Sequence, residues 1–423
     1  MFKKINLKSE ILKYILVLVS GTAIAQIISL SFTPLITSIY TPTQGGELGL
    51  FLRIVSVLAA FATLRYEIAL PIVKNDSHSF RLYRLAFKTT LIVFVIALVV
   101  VIVPVGLSIQ VNTAIFYLLI PIAILFLAID NLGTHWAIRN KDYKRISYAR
   151  ITNSLAGSLS KVGLGWLGLG SAGLIIGMFV GGVLASCWFV IDFFKAKKVH
   201  NVKSNSPRNY LLAKEYKEFP LVSFPHVLMD LGRDLLIAVL ILKLFSTEDY
   251  GLYDLSYRML KVPMIFIGVA IGQVFFQRCS EKVMNKQDVL PIMFKSVKTL
   301  ALLSIVPFSI IFLFGEEIFA YVFSEKWRNA GTYAEIMTPW LMVSFINSPI
   351  SALPVILRKQ KEFFILSFGS VILLIATLIL PPIFFEMDII KTLWIVSCTQ
   401  TVYLLFLIYK IFGFAKEFKQ KMD

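Results

Sequence analysis

Residues 91–107 contain no charged or amide side chain at all, and runs of this kind recur along the whole chain. A helix needs about 20 apolar residues to cross a bilayer core about 30 Å thick. Runs this long are not the amphipathic stripes of a soluble helix, which must keep one polar face for water. The composition agrees: 57% hydrophobic and 16% charged residues, against about 45–50% and about 25% in soluble domains. A polytopic, all-α membrane protein is therefore expected.

Windows of that length place spans near 14–39, 48–72, 89–107, 113–137, 151–167, 171–191, 219–242, 250–276, 292–314, 333–356, 363–385 and 392–409, twelve in all. Ala23-Ile24-Ala25 mimics a signal-peptide cleavage site, but the apolar run continues to Ile39, too long for such a segment. Three scattered cysteines, Cys187, Cys279 and Cys398, predict neither a disulfide framework nor a metal cluster. No cofactor is expected.

The net charge of +17 would suggest nucleic acid on a soluble chain. Its placement says otherwise, because 32 of the 42 Lys and Arg fall in the amino terminus, the even-numbered loops (with Lys295 and Lys298 at the adjoining edge of 292–314) and the carboxyl tail, and only 4 in the odd-numbered loops. Basic loops stay on the cytoplasmic side. Both termini are thus expected to be cytoplasmic, and no nucleic-acid partner is needed. The longest interior loop, 192–218, is Lys-rich and contains Ser204-Asn205-Ser206-Pro207, so it reads as a linker between two halves. The expected domains are 1–200, a linker at 201–218, and 219–423.

The halves look duplicated. A constant offset of 205 pairs Tyr40 with Phe245, Thr41 with Ser246, Gly46 with Gly251 and Arg53 with Arg258, and an offset of 207 pairs Phe87-Lys88-Thr89 with Phe294-Lys295-Ser296. Each copy has an even number of spans, so both would have one orientation in the membrane, the arrangement that puts a transport site between repeats.

An ionisable side chain at the bilayer centre costs at least about 2.5 kcal/mol. Eleven of the ionisable residues inside these windows therefore predict a polar interior: Arg53, Arg65, Lys161, Arg233, Arg258 and Lys261, with Glu67, Asp130, Asp230, Asp234 and Asp254. All fall in spans two, four, five, seven and eight. Asp254, Arg258 and Lys261 follow i, i+4, i+7 on one helix face, and Arg53 and Glu67 lie nearly eclipsed on span two. Arg150, Ser154, Ser158 and Lys161 form a stripe in span five, as do Thr22, Gln26, Ser29, Thr33 and Thr37 in span one. A shared cavity is the simplest destination for these faces.

Blander readings compete. Asp230, Arg233 and Asp234 lie within one turn and could neutralise one another as a structural cluster. Arg65 with Glu67 sits near a helix end, where snorkelling or gating competes with substrate contact. The span-one stripe reads first as a helix-packing seam. Arg53 and Arg258 stand apart because the repeat puts them at matching depths, and a planar guanidinium fork suits phosphate. Gly163-Leu164-Gly165-Trp166-Leu167-Gly168 spells a dinucleotide fingerprint, but it ends a membrane helix and follows no strand, which excludes nucleotide binding. Gly173, Gly177 and Gly181 mark a tight helix contact in span six, and Pro34, Pro121, Pro225, Pro263, Pro349 and Pro354 are candidate kinks.

Four segments resemble the polysaccharide-biosynthesis, O-antigen flippase family of the multidrug/oligosaccharidyl-lipid/polysaccharide (MOP) exporter superfamily. They are Ser20-Gly21-Thr22-Ala23 with Tyr40-Thr41-Pro42; Ala62-Thr63-Leu64-Arg65-Tyr66-Glu67; Val322-Phe323-Ser324-Glu325-Lys326-Trp327-Arg328-Asn329-Ala330-Gly331; and Tyr333-Ala334-Glu335-Ile336 followed by Pro339-Trp340. The resemblance covers nearly the whole chain, and the last two segments are its most specific part. It implies two pseudo-symmetric six-helix bundles of the MATE type. It also implies export of undecaprenyl-diphosphate-linked oligosaccharide across the bacterial cytoplasmic membrane, with a polysaccharide polymerase and a chain-length regulator as family partners. On that basis Arg53, Arg258 and Lys261, with Lys161 and Arg233 as lesser contributors, are the expected anion-binding residues. Glu67, Arg65, Asp130, Asp234, Asp230 and Asp254 are the expected coupling or gating residues, for H+ or Na+. Two alternatives accompany this reading: a drug or cation antiporter of the same superfamily, and a membrane glycan polymerase or glycosyltransferase.

Overall fold

The computed structural model describes residues 7–73, 75–108, 111–200 and 206–420, and no strand occurs among them. Ser204 and Asn205 of the expected linker lie outside the described residues. The chain divides into two compact units, Met1–Tyr40 with Glu47–Ala238, and Thr41–Gly46 with Val239–Asp423.

The first unit contains α1 (Leu7–Ile39), most of α2 (Pro42–Thr63), α3 (Asp76–Ser108), α4 (Val111–Arg139), α5 (Tyr143–Trp166), α6 (Gly170–His200), the short α7 (Ser206–Glu215) and the start of α8 (Phe224–Leu244). Within it α5 packs on both α1 and α6, and α4 packs on α3 and α6. Aromatic rings fill its core, with Phe51 edge-on to Phe116 and Phe80 edge-on to Trp136. The interior stretch 192–218 is mostly helical, because α6 continues to His200 and α7 follows.

The second unit contains α9 (Thr247–Pro263), α10 (Val269–Met284), α11 (Leu290–Phe323), α12 (Arg328–Asn347), the one-turn α13 (Leu353–Ile356), α14 (Gln360–Phe385) and α15 (Ile389–Gln420). Here α12 is central, packing on α9, α11 and α15. The repeat register is visible in the helices themselves: α2 starts at Pro42 and α9 at Thr247, so Gly46 and Gly251 are each fifth, and Arg53 and Arg258 each twelfth, in their helices.

Among the described residues eight helices are long and apolar enough to cross a membrane, or ten if each of two bent pairs, Thr247–Gly268 with Ile271–Met284 and Glu325–Asn347 with Ile350–Ile356, is one span. The other two expected spans, 151–167 and 219–242, are helical as α5 and α8 but carry too many polar and charged residues to pass on composition. The bends coincide with prolines: Pro263 closes α9 before a π-turn over Met264–Gly268, and Pro349 and Pro354 flank the break after α12. Pro34 and Pro121 lie inside continuous helices, and Pro225 is the second residue of α8.

One expectation about span two fails. The helix stops at Thr63, Leu64 and Arg65 take left-handed φ values of 48° and 61°, and a 3-10 turn follows over Tyr66–Ala69. Glu67 therefore lies beyond the break and does not share a helix face with Arg53. Residues 315–330 are largely helical, since α11 continues to Phe323 and α12 begins at Arg328.

Candidate substrate site

Polar residues of α5 face α1 along its whole length. Ser147 donates to the Val17 carbonyl at 2.9 Å, Ser154 to the Ala25 carbonyl at 2.6 Å, and Arg150 to the Thr22 hydroxyl. These bonds make α1–α5 a packing seam, as the hydroxyl stripe predicted. The seam also opens. A cavity of about 310 Å³ is lined by Thr22, Ala25, Gln26 and Ser29 of α1, by Arg150, Asn153, Ser154, Gly157, Ser158 and Lys161 of α5, and by Met178 of α6. Thr33 and Thr37 do not line it; their hydroxyls bond back to carbonyls of their own helix.

The α6 glycines shape this cavity. A Cβ at Gly177 would stand 2.6 Å from Lys161 Cγ, and one at Gly181 would stand 2.6 Å from both the carbonyl and the side-chain oxygen of Asn153. The four-residue glycine spacing thus does what was expected of it, and it leaves room for the Lys161 stem and the Asn153 amide. Tyr40 locks the far end, donating its buried hydroxyl to the Lys161 carbonyl at 2.7 Å.

Gln26 and Asn153 make no side-chain hydrogen bond among the described residues. Amides in a membrane-embedded wall are costly unless satisfied, so their donors and acceptors are available to a ligand. The lining holds two cationic side chains, Arg150 and Lys161, and no carboxylate. Asp130, half-buried on α4, interacts electrostatically with Arg150. The wall can therefore accept an anion beside a hydroxyl-rich group.

The other expected residues fall into separate clusters. In the first unit, Arg53 and Arg233 converge on Asp234, at 3.4 and 3.0 Å, while Asp230 is exposed. The ion-cluster reading thus describes Arg233 and Asp234, with Arg53 recruited from α2. Arg65 faces Glu67 at 3.3 Å beside the helix break, with Glu67 1% exposed. In the second unit, Arg258 pairs with the nearly buried Asp254 at 2.9 Å on its own helix, and the Lys261 ammonium lies 4.1 Å from the Tyr257 ring centre. Among the described residues no group of three or more His, Cys, Asp or Glu is placed to hold a metal ion.

Residue-level reading passed over two groups. Asn153 escaped the stripe search, although it precedes Gly157 by four residues and Lys161 by eight, which puts all three on one face. Glu335, inside the window 333–356 but absent from the intramembrane set, is in α12, where it accepts a hydrogen bond from the Glu316 amide at 2.9 Å.

A family model described as a polysaccharide biosynthesis protein matches residues 41–331. No curated protein sequence matches the chain. Among solved structures, the chain is similar to an inward-facing multidrug resistance MATE family transporter of the MOP superfamily, with 12% identity and a TM-score of 0.70 over 94% of this chain and 99% of that one. It is similar to the lipid II flippase MurJ in an inward closed conformation, with 13% identity and a TM-score of 0.69 over 96% of this chain and 90% of that one. A third likeness is to a MOP superfamily transporter from Pyrococcus furiosus whose binding pocket is described as of reverse polarity, with 11% identity and a TM-score of 0.58 over 96% of each chain. At these identities the fold is what is shared, and the expected MATE-like, all-α architecture is the one observed.

Proposed function

We propose a flippase activity for this chain, which belongs to the polysaccharide biosynthesis protein family: it carries undecaprenyl-diphosphate-linked oligosaccharide from the inner to the outer leaflet of the bacterial cytoplasmic membrane. The observation that carries this reading is the cavity in the first unit, which combines two cations, two available amides and several hydroxyls in a bundle whose outer surface is apolar. Arg150 and Lys161 hold phosphate oxygens, where charge-assisted hydrogen bonds are strongest. Gln26, Asn153, Ser154 and Ser158 meet sugar hydroxyls. Arg53 and Arg233, which meet at Asp234 in the same unit, add cationic groups for the diphosphate. Alternating access exposes the head group to one face at a time while the polyprenyl tail stays in lipid. Asp130, which senses Arg150, couples transport to H+ or Na+ entry by changing the charge beside the anion. A polymerase and a chain-length regulator act on the product.

A drug or cation antiporter would need acids in the lining, and the cavity has none. The test is purified protein in proteoliposomes carrying a fluorescent lipid-diphosphate oligosaccharide in one leaflet. Transfer to the other leaflet is expected with the protein and not with empty vesicles, and Arg150→Gln with Lys161→Gln is expected to abolish it. Efflux of cationic dyes without movement of the lipid-linked sugar would overturn the reading.

A further inference from the structure

We propose that Glu335 is a protonation-controlled latch on the exterior ends of α11 and α12. The motivating feature is a break in α11 at Phe314, where φ is −136° and ψ is 20°. Residues 290–314 already make about 37 Å of helix, enough for a bilayer core, so residues 315–323 form a separate exterior piece. A helix that restarts presents amides with no carbonyl four residues back. The Glu316 amide is one of these, and Glu335 Oε1 accepts from it at 2.9 Å. A carboxylate at the start of a helix also meets the positive end of its dipole.

The crossing leaves no slack. A Cβ at Gly331 would stand 2.3 Å from the Gly315 carbonyl oxygen, and one at Gly315 would stand 2.7 Å from Glu335 Cγ. From there the contacts run through the first turns of α12: Ser256 of α9 donates to the Ala330 carbonyl at 2.5 Å, and the Tyr333 hydroxyl donates to Asp249 at 2.7 Å. The ring of buried Trp327 lies where a Cβ at Gly45 would be 2.7 Å away. All of these residues belong to the second unit. The exterior piece of α11 is thus fixed to α9 and to the first turn of α2 through the helix that carries Glu335.

The charges around the latch are set against it. Glu316 and Glu317 on α11 repel the Glu335 carboxylate, while Arg328 on α12 pairs with Glu316 at 3.6 Å and with Glu325. On neighbouring elements, Glu248 and Asp249 of α9 and Asp388 before α15 act on Tyr333. A proton taken from exterior water removes the Glu335 charge and with it the repulsion from Glu316 and Glu317, while the neutral carboxyl still accepts from the Glu316 amide. The exterior piece of α11 is then held more firmly on α12. This holds whatever the substrate is, so its failure and that of the flippase reading are separable.

The test is hydrogen exchange at the 315–318 amides of the full-length protein in nanodiscs, corrected for intrinsic rates, from neutral to mildly acidic pH. In the wild type, corrected exchange should fall about tenfold or more on acidification. Glu335→Gln should make it independent of pH, and Glu335→Ala should make it fast throughout. As a second variant, Glu316→Gln removes one repelling charge and should move the transition to lower pH. Corrected exchange that ignores pH in the wild type, a transition that persists in Glu335→Gln, or one unmoved in Glu316→Gln would overturn the latch.

Discussion

The helix pair α5–α6 and the pair α14–α15 close the two copies of the repeat, yet they treat polar groups in opposite ways. Along α14–α15 the polar side chains satisfy one another: Ser370 donates to Gln400 at 2.9 Å, Gln400 returns a bond to the Ser370 carbonyl at 3.1 Å, and Tyr403 donates to the Leu366 carbonyl at 2.8 Å. Along α5–α6 the glycines hold open the space occupied by Lys161 and Asn153, and a cavity remains. Residues 363–385 contain no ionisable group, whereas α5 carries Arg150 and Lys161 within its span. One seam is thus closed by its own hydrogen bonds and the other retains a cavity.

The sharpest way to break this contrast is to fill both seams. Gly177→Leu would drive a side chain into the Lys161 backbone nitrogen, where a Cβ alone comes within 2.7 Å. It should cost about 3 kcal/mol or more and lower accumulation in the membrane. Gly369→Ala meets only the end of the Tyr403 side chain, at 2.6 Å. It should cost about 1 kcal/mol, roughly one displaced hydrogen bond. Thermal unfolding in detergent compares the two, and equal losses would remove the distinction between a backbone crossing and a side-chain contact.

The paired arginines give a smaller contrast. Arg258→Gln takes the guanidinium from Asp254, whose side chain is 4% exposed, and should destabilise by about 2 kcal/mol. Arg53→Gln leaves Asp234 with Arg233 and should cost under about 1 kcal/mol. Denaturation of the two variants checks the order. Smaller again is the stability effect of exchanging seam polarity. Ser370→Ala with Gln400→Leu removes both partners of a bonded pair and should change stability by under about 1 kcal/mol and leave transport intact. Gln26→Leu with Asn153→Leu should be equally mild for stability but should abolish transport.

The mildest effect is on pH. Burial by itself raises the Asp288 carboxyl, but the Leu290 amide and the Lys419 ammonium, 2.9 Å away, outweigh it and hold the group below the usual aspartate range. A lowered carboxyl stabilises the fold above its unfolded value, and that contribution is lost as pH falls through the folded one. Lys419→Gln should therefore make the end of α15 release at a higher pH than in the wild type, as read by proteolysis of that end.

The helical class, the glycine crossing and the polar stripes of α1 and α5 were legible because each depends on local spacing: apolar length, four-residue glycine repeats, and hydroxyls recurring every three or four residues. The break after Thr63 was not, because Leu64 and Arg65 adopt left-handed backbone without a glycine to announce it. Asp234 as the partner of Arg53 was equally hidden, since the two are 181 residues apart and no periodicity links separate helices. The bond from the Glu316 amide to Glu335 was hidden for the same reason, since it joins residues of two different helices.

The most direct test of the central claim is binding of a lipid-diphosphate oligosaccharide to the purified protein, measured by native mass spectrometry for the wild type and for Arg150→Gln with Lys161→Gln. The cavity in the first unit predicts a loss of affinity of about a hundredfold, the equivalent of two charge-assisted hydrogen bonds. Wild-type affinity in the double variant would contradict it.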